Sequence, residues 1–303
     1  MAITAQDVKA LREMTGVGMM DCKKALAASD GDMDKAVEWL REKGLAASAK
    51  KAGRIAAEGM AYSAVIDGVG VVVEVNAETD FVGKNEKFVD FVKGVAATVA
   101  ACAPADLDAL MECKYNGTDL TVTQQQQEMV LVIGENIKVR RFARFADGVS
   151  VPYIHAGGKI GVLVNMEVTG GIDATEIGKD MAMQIAALNP RFLDKSQVTQ
   201  EVLDEEKKIL LAQMANDPKM ASKPDKVKEN IVAGKLNKFY SENCLLQQTF
   251  VKDNEVTVEQ YVNAAATKLG GTVTLKDAVR FEKGEGIEKK QENFAEEIAK
   301  LTK

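Results

Sequence analysis

Val71-Val72-Val73-Glu74-Val75-Asn76-Ala77-Glu78-Thr79-Asp80-Phe81-Val82 is the stretch that decides the fold. Its first six residues are a β-branched apolar run broken by one acid, the pattern of a buried strand. A second strand precedes it near Ala61–Ile66, and Asp67-Gly68 between the two is a strong hairpin-turn signal. After Val82 the apolar period changes. Phe88, Phe91, Val92, Val95 and Val99 fall at helical spacing and read as one core-facing stripe. Phe81 and Asp80 therefore stand at a strand-to-helix junction, where Gly, Asn, Ser or Asp are the usual residues. An apolar tip on a rigid scaffold is suited to insertion into something else. The plain alternatives are Phe81 as a staple or core residue opening the helix, and Asp80 as its N-cap.

Working outward, the chain repeats itself. At an offset of 91, Val71-Val72-Val73 falls on Val162-Leu163-Val164, and Ala96 in the following helix falls on Ala187. Further on the offset is 136. Thr121-Val122 falls on Thr257-Val258, Gln124 on Gln260, Gly134 on Gly270 and Arg144-Phe145 on Arg280-Phe281. A duplicated strand–helix–strand unit explains both offsets, with 45 residues inserted in the second copy at about 190–235. The insertion carries Val198, Val202, Ile209 and Leu210 on one helix and Val227, Ile231, Leu236 and Phe239 on another, split by Asp217-Pro218 and Lys223-Pro224. That is an antiparallel helical hairpin, and a helix of ~16 residues reaches about 24 Å.

The flanks are helical. Thr4 and Asp7 form a capping-box pair ahead of Val8, Leu11 and Met14. Met19 to Ala28 reads as a second helix, and Asp32 caps a third bearing Val37 and Leu40, with Ala46-Ala47-Ser48-Ala49 opening a linker. Beyond Gly284-Glu285-Gly286, Glu288 to Lys303 is a charged helix with Phe294, Ile298 and Leu301 on one stripe. The expected division is residues 1–54 (helical module and linker), 55–148 and 149–283 (the two core units), and 284–303 (C-terminal helical module). A module of about 50 residues has a marginal core and leans on a neighbour or partner.

Chemistry is sparse. A net charge of −6 in 303 residues argues against binding driven by phosphate neutralisation, so no direct nucleic-acid contact is expected. Lys50-Lys51-Ala52-Gly53-Arg54 and Arg140-Arg141-Phe142-Ala143-Arg144 read as a basic linker and solvated faces. The four cysteines form no CxxC pair, and His155 is the only histidine, so neither a metal nor a His-dependent nucleophile is expected. No complete phosphate-binding loop occurs, and no cofactor is expected. No apolar run reaches the roughly 18 residues that would span a membrane. The absence of a secretory leader after Met1 points to the cytoplasm.

Two long motifs carry a resemblance. Leu11-Arg12 with Thr15-Gly16-Val17-Gly18-Met19-Met20-Asp21-Cys22-Lys23-Lys24-Ala25-Leu26, and Glu74 through Val82, resemble the two signatures of the translation elongation factor Ts family. Ala77 and Gly83 depart slightly from its pattern, where Ser-like residues are common. The resemblance implies an α+β fold: an N-terminal three-helix UBA-like module, a duplicated α/β core of two subdomains with antiparallel sheets, the helical hairpin and a C-terminal helix. It implies a guanine-nucleotide exchange factor with no covalent chemistry of its own. The partner would be elongation factor Tu in its GDP form, released when GTP binds. Thr79, Asp80, Phe81 and Val82 would insert beside the Mg²⁺ site of that GTPase. Met19, Met20 and Lys23 would add contacts from the N-terminal module; two adjacent methionines cannot both face the module's interior. The rival reading is a non-catalytic adaptor using the same surfaces. Self-association through a free β edge stays open.

Overall fold

The structure is a computed structural model describing residues 3–221 and 223–288. Thr4 caps α1 (Ala5–Thr15) through a complete capping box with Asp7, and Gly16, at φ +70°, ends it. Helix α2 spans Met19–Ala28. Asp32 caps α3 (Met33–Lys51) by accepting from Lys35 N–H at 3.1 Å. The expected linker at Ala46–Ala49 is instead part of α3. Its alanines and lysines favour helix, and Gly44 brings α3 so close to its neighbour that a Cβ there would lie 3.3 Å from the Gln127 carbonyl. Leu11, Cys22, Ala25, Leu26, Ala36 and Leu40 form a small core closed by Leu131 and Val132 from beyond the module. The module thus leans on its neighbour, as its size requires.

Strands β1 (Glu58–Ile66) and β2 (Val69–Ala77) are joined at Asp67-Gly68, both with positive φ, the backbone of a tight hairpin turn. A 3₁₀ turn over Val82–Lys84 leads to α4 (Glu86–Cys102), followed by α5 (Leu107–Glu112), α6 (Val122–Ile133) and β3 (Lys138–Phe145). The sheet order is β1-β2-β3, antiparallel throughout. Next come β4 (Val149–His155), β5 (Ile160–Thr169), α7 (Thr175–Leu188), α8 (Gln200–Asn216), α9 (Pro218–Ala221) and α10 (Asp225–Asn243). The described chain closes with β6 (Thr249–Phe250), β7 (Asp253–Thr257), α11 (Val258–Leu269) and β8 (Thr272–Glu282). The second sheet is β4-β5-β8, again antiparallel. Small antiparallel sheets with separate helices make this an α+β protein.

Phe88, Phe91, Val92, Val95 and Val99 are buried against β2, as their spacing predicts. A matching core packs α7 and α11 on the second sheet, and Ala61, Val72, Leu163 and Phe281 join the two sheets. The offset of 136 recurs in the backbone. Thr121 with Gln124 and Thr257 with Gln260 form capping boxes, and Gly134 and Gly270 end their helices at φ +86° and +89°. Register shifts leave Arg140 on β3 and Lys276 on β8 outside the ladder. Such bulges, carrying a cation, blunt a free edge against edge-to-edge pairing.

The hairpin lies later than 190–235. Residues 190–193 return to the core instead, where Phe192 N–H and Leu245 N–H bond to Asn243 and Phe192 carbonyls at 3.0 and 2.9 Å. Leu210, Met214 and Val232 pack α8 on α10, whereas Ile209 and Val227 face outward. The expected helix over Glu288–Lys303, with Phe294, Ile298 and Leu301, lies outside the described residues from 289 onward. The basic run at Arg140–Arg144 is not a solvated face. Arg140 and Arg141 bind buried Glu74, and Arg144 donates to the Ala100 carbonyl at the end of α4, where a cation complements the helix dipole.

Candidate functional site

The residues after β2 do not run straight into α4. Glu78 to Phe81 form a short loop, Val82–Lys84 a 3₁₀ turn, and Asn85 caps α4 by accepting from Lys87 N–H at 3.0 Å. Asp80 is therefore not the helix cap. It is exposed and makes no hydrogen bond or ion pair with the described residues. Phe81 is not a core residue either, being 80% exposed, more than any other large apolar side chain described. Val82 turns the other way, only 6% exposed, and joins the core with Phe88 and Val75. It anchors the tip from below.

The tip is held from the side. The Glu135 carboxylate accepts from the main-chain N–H groups of Glu78 and Thr79, both at 3.0 Å, and from the Thr79 hydroxyl at 2.7 Å. Reciprocally, the Glu78 carboxylate accepts from Asn136 N–H at 2.6 Å and pairs with Arg54 at 3.4 Å. The Asn136 amide donates to the Arg54 carbonyl at 2.8 Å. Lys51 stands close by. Burial, then Arg54, push its pKa down against the pull of Glu78 and Glu135. Below the turn, a Cβ on Gly83 would lie 2.8 Å from the Gly59 carbonyl, so strand and turn meet backbone to backbone.

The N-terminal motif reaches the same region. The Lys87 ammonium donates to the Gly16 carbonyl at 3.2 Å, and Gly16, Phe81, Val82, Asn85 and Lys87 line one cleft of about 300 Å³. Met19 and Met20, in the first turn of α2, are 55% and 66% exposed, and Lys23 is exposed. Both methionines face away from the module's core, one more than the pattern requires. Cys22 between them and Lys23 is buried.

Reading the sequence missed Glu135, Asn136, Arg54 and Lys87. One signal was available. At the two offsets, Thr79 falls on Gly170 and Glu135 on Gly271. In the structure these positions also meet: a Cβ on Gly170 would lie 2.8 Å from the Gly271 Cα. One unit has a side-chain staple where the other has two glycines packed backbone on backbone. Among the described residues no cluster of His, Cys, Asp or Glu could hold a metal ion, and no helix is long and apolar enough to cross a membrane.

Comparison with known proteins bears on the whole chain. The family described as Elongation factor TS matches residues 78–285. Elongation factor Ts of Syntrophotalea carbinolica is 47% identical over 307 aligned positions, covering 100% of both chains. That of Trichlorobacter lovleyi is 49% identical, covering 99% of this chain and 98% of the relative, and that of Clostridium kluyveri is 48% identical, covering 98% of each. Identity at this level over nearly the whole chain means that this chain belongs to the elongation factor Ts family.

Proposed function

We propose that this protein is a guanine-nucleotide exchange factor for elongation factor Tu, acting in translation elongation in the cytoplasm without covalent chemistry of its own. The observation that carries the proposal is Phe81: a largely exposed aromatic on a loop whose position is fixed by Glu135 and Val82. The three N-terminal helices serve as a UBA-like module, and the two sheet units are copies of one α/β unit of which only the first carries a tip. At the matching place the second unit has Gly170-Gly171-Ile172-Asp173, with Ile172 packed inward.

A factor that accelerates GDP loss ~10⁴-fold must remove about 5.4 kcal/mol from the release barrier. Exposed ion pairs at ~0–1 kcal/mol each fall short. Burying one Phe contributes about 1.5–3 kcal/mol. A Phe81 wedge, a disturbed metal site and a broad anchoring surface together suffice. Phe81 inserts between elements of the GTPase, while Asp80, exposed and without a partner among the described residues, is available to the waters and oxygen ligands around Mg²⁺. Met19, Met20 and Lys23 extend the contact. Coupling is reciprocal: a factor that weakens GDP and Mg²⁺ binding is itself displaced when GTP rebinds.

The test is direct. Tu loaded with fluorescent GDP is mixed with excess GTP and this protein, and release is followed in time. Acceleration at micromolar factor supports exchange. Binding to Tu with no change in release rate would instead establish a non-catalytic adaptor.

A further inference from the structure

The turn over Thr15–Gly18, between α1 and α2, is the part of the first motif that Met19, Met20 and Lys23 do not account for. Gly16 stands at the C-terminal end of α1 with φ +70°, and its N–H bonds to the Arg12 carbonyl at 2.8 Å. Its own carbonyl accepts from the Lys87 ammonium at 3.2 Å, across 71 residues of sequence. A Cβ on Gly16 would lie 2.6 Å from Lys87 Nζ and 4.0 Å from Val132 Cγ1, so the turn meets both α4 and α6.

Lys87 is placed against its own helix. It is the second residue of α4, where the positive end of the helix dipole disfavours a cation. At the end of α1 the sign is reversed: carbonyls without helical partners gather there, and a cation is favoured. The ammonium thus finds its electrostatic match in the N-terminal module rather than in the helix that carries it. Its stem starts from a fixed root, because the Lys87 main-chain N–H is held by the Asn85 side chain at 3.0 Å and the adjacent Phe88 is fully buried. The module is otherwise seated along α6, where Gly44 of α3 lies against the Gln127 carbonyl and Arg41 pairs with Glu128 at 3.3 Å. Packing along one pair of helices permits a rocking or sliding motion about that seam. The Lys87 bond ties the module to a different helix, α4, and opposes that motion. It also joins the turn that presents Met19 and Met20 to the helix that follows Phe81, and Gly16, Phe81, Val82 and Lys87 line one cleft.

We infer that Lys87 is a positioning residue: it locks the Gly16 turn to the first turn of α4, and so holds Met19–Met20 and Phe81 in the relative orientation in which both meet the GTPase. The inference rests on the exchange-factor reading for its last step; the lock itself is a property of the free chain.

The experiment uses the full chain with Lys87→Met, which keeps the stem and removes the donor, Lys87→Arg, which keeps a cationic donor, Met20→Ala, and Lys87→Met combined with Met20→Ala. In free protein, amide hydrogen exchange in the peptide covering 15–24 is read first. Lys87→Met raises it about fivefold while β2 and the middle of α4 stay protected, and Lys87→Arg stays within about twofold of wild type. Unchanged exchange in Lys87→Met overturns the lock, whatever the GTPase assay gives. Second, GDP release from Tu is titrated with each variant. Lys87→Met and Met20→Ala each raise the half-saturating concentration about fivefold with the plateau rate kept, Lys87→Arg restores it, and the double variant is no worse than the worse single one. Effects that multiply, a silent Met20→Ala, or an arginine variant as impaired as Lys87→Met overturn the positioning role. So does a lowered plateau with half-saturation unchanged, which would put Lys87 in the release step itself. Lys87 is exposed, and if Lys87→Met does not melt cooperatively, Lys87→Ala replaces it in both arms. A wild-type chain that releases no GDP refutes the exchange reading and leaves the hydrogen-exchange arm to decide the lock.

Discussion

Glu135 holds Thr79 twice, by its main-chain N–H at 3.0 Å and by its hydroxyl at 2.7 Å, across 56 residues of sequence. This bond pair fixes where Phe81 stands. Hydrogen bonds to a charged group contribute about 1.5–3 kcal/mol, but this staple ties down a loop rather than the core. Glu135→Gln should therefore lower the melting temperature little and slow GDP release several-fold, because a loosened loop presents Phe81 in many directions. Stopped-flow release and a thermal melt on the same preparation check this. An unchanged release rate would remove Glu135 from the account.

Phe81 itself should separate folding from function. Burial of a phenyl ring in a partner contributes about 1.5–3 kcal/mol, or roughly 10- to 150-fold in rate or affinity. In the free protein the ring is 80% exposed and holds nothing together. Phe81→Ala should keep circular dichroism and melting temperature at wild-type values while GDP release slows by that factor. Val82→Ala should behave oppositely, since Val82 is buried with Phe88: a loss of stability first, and of release as a consequence.

Much of this was legible in the sequence, and the reasons differ from place to place. Local rules gave the Thr4, Asp32, Thr121 and Thr257 caps or their repeat, and the Asp67-Gly68 turn, because each depends on residues within four positions. The helical stripe from Phe88 to Val99 followed from periodicity alone. The end of α3 was misjudged because a packing partner far along the chain, at Gln127, decides it. The hairpin arm was displaced because residues 190–193 are claimed by Asn243 and Leu245. At the site, Phe81 stood out as an aromatic in a turn, yet Glu135 did not, since an acid after a helix-ending glycine looks like any exposed acid until the fold brings Thr79 to it. Glu74 was visible as one acid in a valine run; its four donors were not.

Gly59 and Gly83 give a steric prediction. Gly59 has φ +108°, and a Cβ on it would lie 2.2 Å from the Val75 carbonyl; Gly83 meets Gly59 from the other side. Gly59→Ala combines an unfavourable φ with a backbone clash and should cost about 1–3 kcal/mol. Urea unfolding measures it. Gly53→Ala is the control, because a Cβ there meets nothing within 4 Å and φ is not positive. Equal midpoints for the two variants would contradict the packing described beneath the tip.

The last prediction concerns acid. Burial acts to raise the Glu74 carboxyl pKa, but the hydrogen bonds from Asn76, the Gly284 amide, Arg140 and Arg141 outweigh it, and the net shift is downward from the ordinary glutamate value of 4.5. The folded chain therefore binds this proton less readily than the unfolded chain does. Above pH 4.5 the contribution of Glu74 to stability is fully present. As pH falls below that value the unfolded state takes up the proton first, and the contribution is lost as pH approaches the folded-state value. The stability difference between wild type and Glu74→Gln, from urea midpoints, should be constant from about pH 7 to about pH 5 and shrink on further acidification. Other carboxylates titrate in both proteins and cancel in that difference. A gap that stays constant, or widens, below pH 4.5 would mean that the buried cluster is not held by an ionised Glu74.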